Sequence, residues 1–331
     1  MVTSRDVARL AGVSQPTVSR ALTDHPRVSE ATKRRVREAA LALGYSTNAI
    51  GRALSVGRSN RIGLVVADLE NQFYANMIGP LHHELEALGH ELVLITESAG
   101  TAPLPERVAA HGLAGVVLST TTVDSIQPAR LRDRGVPFVY LNRTAPSVAA
   151  DAVTVDPEQG VREVVAEAVR LGHTRIGAIF GPRNTSTGEL REQVVRTVLD
   201  EHGLALAQRD VLHGPFDFAT GREGFRTLHE RAGGPTLLLC GNDVVALGAL
   251  DAAAEAGVPV PGHTSVVGFD DLPTSRWALV RLSTVAYDLD EVARESARLV
   301  VARLTDPGAA PRHVVYPTHY VARATVAAPR A

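Results

Sequence analysis

The chain has 331 residues, 45% of them hydrophobic and 21% charged, the composition of a globular protein large enough for two or three domains. Its lone cysteine, Cys240, excludes an internal disulfide and a cysteine-based zinc site. No apolar run reaches the length of a membrane span, and Arg5, Asp6 and Arg9 interrupt any signal-peptide core, so a cytoplasmic protein is expected. The net charge of −2 conceals a division: residues 1–58 carry 10 Lys+Arg against 4 Asp+Glu, and the remainder is acidic. That is the pattern of a nucleic-acid-binding head on a body that avoids the polyanion.

The first stretch, TSRDVARLAGVSQPTVSRAL, predicts two short helices joined by a tight turn. Thr3 and Asp6 are spaced for a capping box. Val7, Leu10 and Ala11 fall on one helical face, and Gly12 can take the positive φ of a sharp exit. Ser14 is placed to cap the second helix, with Pro16 in its first turn, where no amide hydrogen is missed. Val18 and Leu22 turn inward, leaving Gln15, Thr17, Ser19 and Arg20 outside. Hydroxyls donate to phosphates, and Gln and Arg pair bidentately with base edges, so this face suits a major groove. A third helix, capped by Ser29 and running to about Leu43, supplies the backing through Val36, Ala40 and Leu43. Lys33, Arg34 and Arg37 form its outer side, and Gly44 ends it.

The connector YSTNAIGRALSVGRSNRIG holds Gly51 in mid-segment, which costs about 1 kcal/mol of helix stability relative to Ala. A helix there is expected to order only on binding. From Arg61 onward the rhythm changes. RIGLVVAD, HELVLIT, LAGVVLS, VPFVYLN, TRIGAIFG, PTLLLCG and TSVVGFD are apolar throughout and alternate with helical segments, the first over Phe73–Leu88. Strands of this kind belong to parallel sheets covered on both faces. A break near Asp151–Asp156 suggests two similar halves. Ligands in such folds sit beyond the carboxyl ends of the strands. Those ends carry Asp68, Ser119, Asn142, Asn242, Asp243, Asp270 and Asp271, with Phe73, Tyr74, Phe216 and Phe218 nearby. Acids, amides and rings together suit a polyhydroxylated ligand; helix capping is the competing role for Asp68, Asn242 and Asp270.

The runs GVSQPTVSRAL, VSEATKRRVREAALALGY and NAIGRALSVGRS resemble the head and hinge of the lac repressor (LacI/GalR) family of bacterial regulators, and the likeness extends over the whole chain. The resemblance implies an α/β protein with a three-helix helix-turn-helix head (1–46), a hinge helix (47–60) and a core (61–331). The core would be two Rossmann-like lobes of periplasmic-binding-protein type, about 61–150 with 286–316 and about 155–283 with 319–328. Ser283–Asp288 and Pro317–Arg323 would be crossovers between the lobes. For DNA contact it implies Ser14, Gln15, Pro16, Thr17, Ser19, Arg20 and Arg27, with hinge residue Asn48 and a minor-groove wedge at Leu54. For an effector it implies Phe73, Tyr74, Ser119, Asn142, Thr187, Arg191, Asn242 and Asp270. Phe216 completes that set, with Phe218 as the alternative in an ambiguous register.

The partners so implied are a pseudo-palindromic duplex, a sugar or nucleoside effector and a second copy of the chain, with the Phe73–Leu88 helix a candidate interface. An enzyme is the rival class, but the first strand is followed by ADLENQF, without the glycines of a dinucleotide fingerprint. There is no P-loop and no G-x-S-x-G elbow. An exported solute-binding protein, the other rival, would not carry the basic head. His82 and His83 are adjacent and diverge on a helix, the wrong spacing for a metal; together with His173 they are expected at the surface. No catalytic residue, metal or cofactor is assigned.

Overall fold

The computed structural model describes residues 2–22, 25–43, 45, 59–67, 69, 71–97, 101–231 and 233–330. The chain divides into two compact units, Met1–Ser59 and Asn60–Ala331.

The first unit contains α1 (Ser4–Ala11), α2 (Gln15–Leu22) and α3 (Glu30–Ala42). The Thr3 amide donates to Asp6 at 3.0 Å, the reciprocal half of a capping box, and Gly12 leaves α1 at φ +62°. Ser29 caps α3 by accepting from the Thr32 amide. The core is Val7, Ala8, Ala11, Val18, Ala21, Val36, Ala39 and Ala40. Two expectations fail here. Leu10 is 55% exposed and Ala8 is buried in its place, because α1 must meet both α2 and α3 and the shared side is the one between Val7 and Ala11. Lys33 is buried rather than outward; its stem lies against the small core and its ammonium reaches Glu30 at 2.7 Å. Gly44 and most of the connector, Asn48, Gly51 and Leu54 included, lie outside the described residues.

The second unit is two α/β lobes. One sheet has the order β11-β5-β4-β3-β1-β2 and the other β12-β10-β9-β8-β6-β7. In the first sheet β1 is Arg61–Val66, β2 Glu91–Thr96, β3 Gly115–Leu118, β4 Phe138–Leu141, β5 Asp151–Asp156 and β11 His313–Pro317. In the second, β6 is Ile176–Phe180, β7 Val211–His213, β8 Leu237–Cys240, β9 Ser265–Phe269, β10 Ser283–Ala286 and β12 His319–Val321. Every recorded pairing is parallel except β10 with β12. Central strands such as β3, β4, β8 and β9 are buried along their length, as apolar-throughout strands require. HELVLIT differs: β2 is an edge strand and Leu94 is 40% exposed.

Helices α4 (Gln72–Ala87) and α11 (Leu289–Thr305) pack together on one face of the first sheet; α5 (Leu104–Ala110) and α6 (Gln127–Asp133) cover the other. In the second lobe α7 (Glu158–Leu171) and α8 (Ser186–Glu201) lie on one face, with α9 (Phe218–His229) and α10 (Asp243–Glu255) opposite. The chain changes lobe after β5, after β10 and between β11 and β12. The Asp151–Asp156 segment is therefore itself a strand of the first sheet, and the first crossing follows it. Thr318 joins two crossings: its hydroxyl donates to the Asp156 carbonyl at 2.9 Å and accepts from the Gly160 amide at 3.0 Å. Among the described residues no helix is long and apolar enough to cross a membrane.

Candidate functional site

In the first unit the side chains of Ser14, Gln15, Pro16, Ser19 and Arg20 are exposed on or beside α2, and Thr17 is half-buried. The Ser14 and Thr17 hydroxyls share a 2.8 Å hydrogen bond across the first turn. The Gln15 amide donates to the Ser4 hydroxyl at 3.2 Å, joining the starts of α1 and α2. Arg27 is exposed in the following loop, where its backbone amide donates to His25 Nδ1 at 3.1 Å. These groups can donate to phosphate oxygens and pair with base edges.

In the second unit the strand ends converge. Asn142 follows β4, Asn242 follows β8 and Asp270 follows β9; Phe73 and Tyr74 open α4, Thr187 and Arg191 lie near the start of α8, and Phe216 precedes α9. These eight line one cleft between the lobes, together with Asn71 and Arg143. Ser119 is not brought into it: it is buried beneath, and its hydroxyl donates to the Val65 carbonyl at 2.5 Å. Phe218 heads α9 and is 43% exposed, which resolves the ambiguous register in favour of Phe216. Its ring fits because residues 181 and 241 are glycines; a Cβ on Gly181 would stand 2.0 Å from Phe216 Cζ.

Arg191 is fixed from three sides. It donates to the Gly241 carbonyl at 2.6 Å and to Asp270 Oδ1 at 3.1 Å, and lies 3.7 Å from the Phe269 ring centre. The Tyr287 hydroxyl donates to the same carboxylate oxygen at 3.1 Å. Burial pushes the Asp270 carboxyl up to about 6 against the opposing pull of Arg191. Asn142 and Asp270 hold φ of +65° and +110°, strained values that recur at ligand sites. Among the described residues, two buried polar atoms here have no hydrogen-bond partner, Asn142 Oδ1 and Thr187 Oγ1. Such orphans are rare and call for an explanation.

Of the capping roles, that of Asn242 holds, whereas the Asp270 carboxylate accepts from Arg191 and Tyr287 rather than from a helix amide. Asn242 caps α10 through the Val245 amide at 2.9 Å while lining the cleft. Asp243 is turned away from it, accepting from the Leu272 amide, Ser275 and Thr284. Asp68 lies outside the described residues. Asn71 was legible only as a residue before a helix: its Oδ1 accepts from the Phe73 amide, and its Nδ2 crosses to the other lobe. Arg143 lies two residues beyond the end of β4, where a basic side chain in a loop carries no local signal of a cleft position.

Among the described residues, four hydrogen bonds close the lobes on each other. Asn71 Nδ2 donates to the Phe216 carbonyl at 2.8 Å, the Thr144 amide to Ser186 Oγ at 2.9 Å and the Val123 amide to the Asn184 carbonyl at 2.9 Å. The Thr274 hydroxyl donates to the Gln72 side chain. The apolar side of α4, namely Phe73, Tyr74, Met77, Leu81 and Leu85, is spent on its own lobe's core. Only the opposite side of that helix is open to another subunit. His173 is a correction: it is 1% exposed, not at the surface, because its ring links Thr236 to the Ala327 carbonyl. Among the described residues no group of three or more His, Cys, Asp or Glu is placed to hold a metal.

Comparison with known proteins agrees with this architecture. The family described as "Bacterial regulatory proteins, lacI family" matches residues 3–48, and "Periplasmic binding protein-like domain" matches residues 165–326. The HTH-type transcriptional regulator GalR of Escherichia coli (strain K12) is 32% identical over 305 residues, 91% of this chain and 89% of GalR. The regulator CelR of Thermobifida fusca is 31% identical, covering 96% of each chain. A lac repressor dimer bound to operator and the anti-inducer ONPF superposes with TM-score 0.85 at 26% identity, covering 99% of both chains. A CelR–cellobiose complex does so with TM-score 0.75 at 30% identity, covering 98% of this chain and 100% of that one. With a helix-turn-helix head and a two-lobed body matched along nearly its whole length, the chain belongs to the LacI family of bacterial transcriptional regulators.

Proposed function

We propose that this protein represses transcription from a pseudo-palindromic operator as a homodimer, and that a small polyhydroxylated metabolite held between the lobes of each subunit sets its DNA affinity. Ser14, Gln15, Pro16, Thr17, Ser19, Arg20 and Arg27 face the DNA of one half-site. Two heads related by the dimer axis read the two half-sites. The hinge, with Asn48 and Leu54, orders in the minor groove on the specific site. Phe73, Tyr74, Asn142, Thr187, Arg191, Phe216, Asn242 and Asp270, joined by Asn71 and Arg143, hold the effector. It shifts the lobe arrangement by its differential affinity for the two states, and the hinges transmit that shift. The solved relatives support the reading, one being a dimer on its operator and the other a complex with cellobiose. The protein works in the cytoplasm and catalyses no reaction.

The observation that carries the effector site is the pair of buried, unpartnered acceptors, Asn142 Oδ1 and Thr187 Oγ1, beside the Phe216 ring. Ligand hydroxyls would satisfy both while an apolar ring face lies on Phe216. The test is a thermal-shift screen of the full chain against sugars, sugar acids, sugar phosphates and nucleosides. A ligand at a hundred times its Kd should stabilise the fold by about 2.7 kcal/mol. Asn142→Ala should remove that gain. A stabilising ligand indifferent to Asn142→Ala, Thr187→Val and Asp270→Asn would place the effector elsewhere.

A further inference from the structure

Arg143, half-buried in the cleft, differs from three arginines of the body that are paired with aspartates. Arg191 has Asp270, Arg303 has Asp151 at 2.8 Å and Arg323 has Asp271. Among the described residues Arg143 has no ion pair; its guanidinium carbon lies 5.4 Å from the centre of the Phe216 ring, across the cleft. Among the described residues, the cleft lining holds two guanidinium groups, Arg143 and Arg191, against one carboxylate, Asp270. That carboxylate is already committed to Arg191 and Tyr287. Glu97, the other acid that acts on Arg143 electrostatically, accepts from the Thr120 hydroxyl instead.

We propose that the effector is a hydroxylated organic anion, a sugar acid or sugar phosphate, whose oxyanion is received by Arg143 at the end of β4. The proposal rests on the reading of this cleft as the effector site. A cation withdrawn from water without a counter-ion is costly, and the cost is relieved if the counter-ion arrives with the ligand. Burial pulls the Arg143 guanidinium below its usual range, as expected of a cation short of compensation. A guanidinium over an aromatic face keeps its N–H edges available, and its planar fork matches carboxylate and phosphate oxygens. The adjoining Asn142 Oδ1 lacks a donor. A single strand end therefore asks for a hydroxyl at one residue and an oxyanion at the next.

The experiment is calorimetric titration of the full chain with matched sets: aldoses, the aldonates and uronates derived from them, and their 6-phosphates. An acidic member should bind more tightly than its neutral parent. Arg143→Gln should weaken that acid by about tenfold to a hundredfold, a clearly larger loss than the one it causes for the neutral parent. Arg143→Lys, which keeps the charge, should recover part of the loss. Comparison of carboxylates with phosphates identifies which oxyanion is used. A neutral sugar that binds at least as tightly as its acids, or an equal loss for both in Arg143→Gln, overturns this proposal and leaves the cleft as a sugar site. Failure of every member to bind overturns both.

Discussion

Asn71 and Phe216 belong to different lobes, and the amide of one donates to the backbone carbonyl of the other at 2.8 Å. The same asparagine caps α4 through its oxygen, so one side chain starts a helix of the first lobe and fastens the second lobe across the cleft. Helix capping and lobe closure separate by substitution. Asn71→Asp keeps the acceptor for the cap and loses the donor for Phe216, whereas Asn71→Ala loses both. The Ala variant should be less stable by about 1 kcal/mol. Both variants should release effector faster than the parent, as measured by stopped-flow displacement. Unchanged release from the Asp variant would show that this bond does not hold the lobes closed.

Gly181 tests the seat of the Phe216 ring. An added methyl at 181 meets the far edge of that ring, and a half-buried phenyl group at the rim of the cleft can turn aside at modest cost to the fold. Gly181→Ala is therefore expected to keep its melting temperature within a few degrees, since about 1 kcal/mol shifts a domain of this size by roughly 2–4 °C. Effector affinity should fall by about tenfold through the lost ring face. Equal affinities in calorimetry would remove Phe216 from the effector's contacts.

His173 gives the body a dependence on acid. Its Nε2 donates to the Ala327 carbonyl and its Nδ1 is hydrogen-bonded to the Thr236 hydroxyl, both at 3.0 Å, and burial favours the neutral ring. Burial lowers its pKa, with the Ala327 bond opposing. In the unfolded chain the imidazole takes up a proton near pH 6.5, while the folded one resists it to lower pH. The stabilisation is thus complete above about 6.5 and is lost as pH falls below that value, at up to about 1.4 kcal/mol per pH unit. Urea unfolding between pH 5 and 7.5 should show this slope in the parent and a shallower one in His173→Gln. Parallel slopes would assign the acid sensitivity to other groups.

Arg20 distinguishes sequence reading from simple charge. Arg20→Ala is expected to cost about 1–3 kcal/mol on the selected operator and much less on random duplex, compared by fluorescence anisotropy at one salt concentration. Equal losses on both would make Arg20 a phosphate contact.

The linear chain carried the architecture because its period changes where the fold changes. Capping residues at Thr3 and Ser29 and apolar runs such as LAGVVLS and PTLLLCG are local signals, and a strand end needs no tertiary knowledge to be found. Cleft residues were legible for the same reason: Asn142, Asn242 and Asp270 each follow such a run directly. Ser119 follows one too, yet turns beneath the sheet to Val65, since alternation along a strand's end decides which way a side chain leaves it. Leu10 and Lys33 were misplaced because helical spacing records a face without recording what covers it, and His173 because a lone histidine after a helix carries no local sign of the partners that bury it.

The sequence by itself determined the family, the helix-turn-helix head, the two parallel sheets and most of the polar groups that face the cleft. All of these depend on residue type at short spacing. Only the tertiary structure decided that Asn71 reaches across to Phe216, that Gly181 makes room for its ring, and that Arg143 lies in the cleft with no ion pair among the described residues. Those relations join residues far apart in the chain. They depend on how the strand ends of two independently formed sheets are brought to face each other by the crossovers, a geometry that no local spacing encodes.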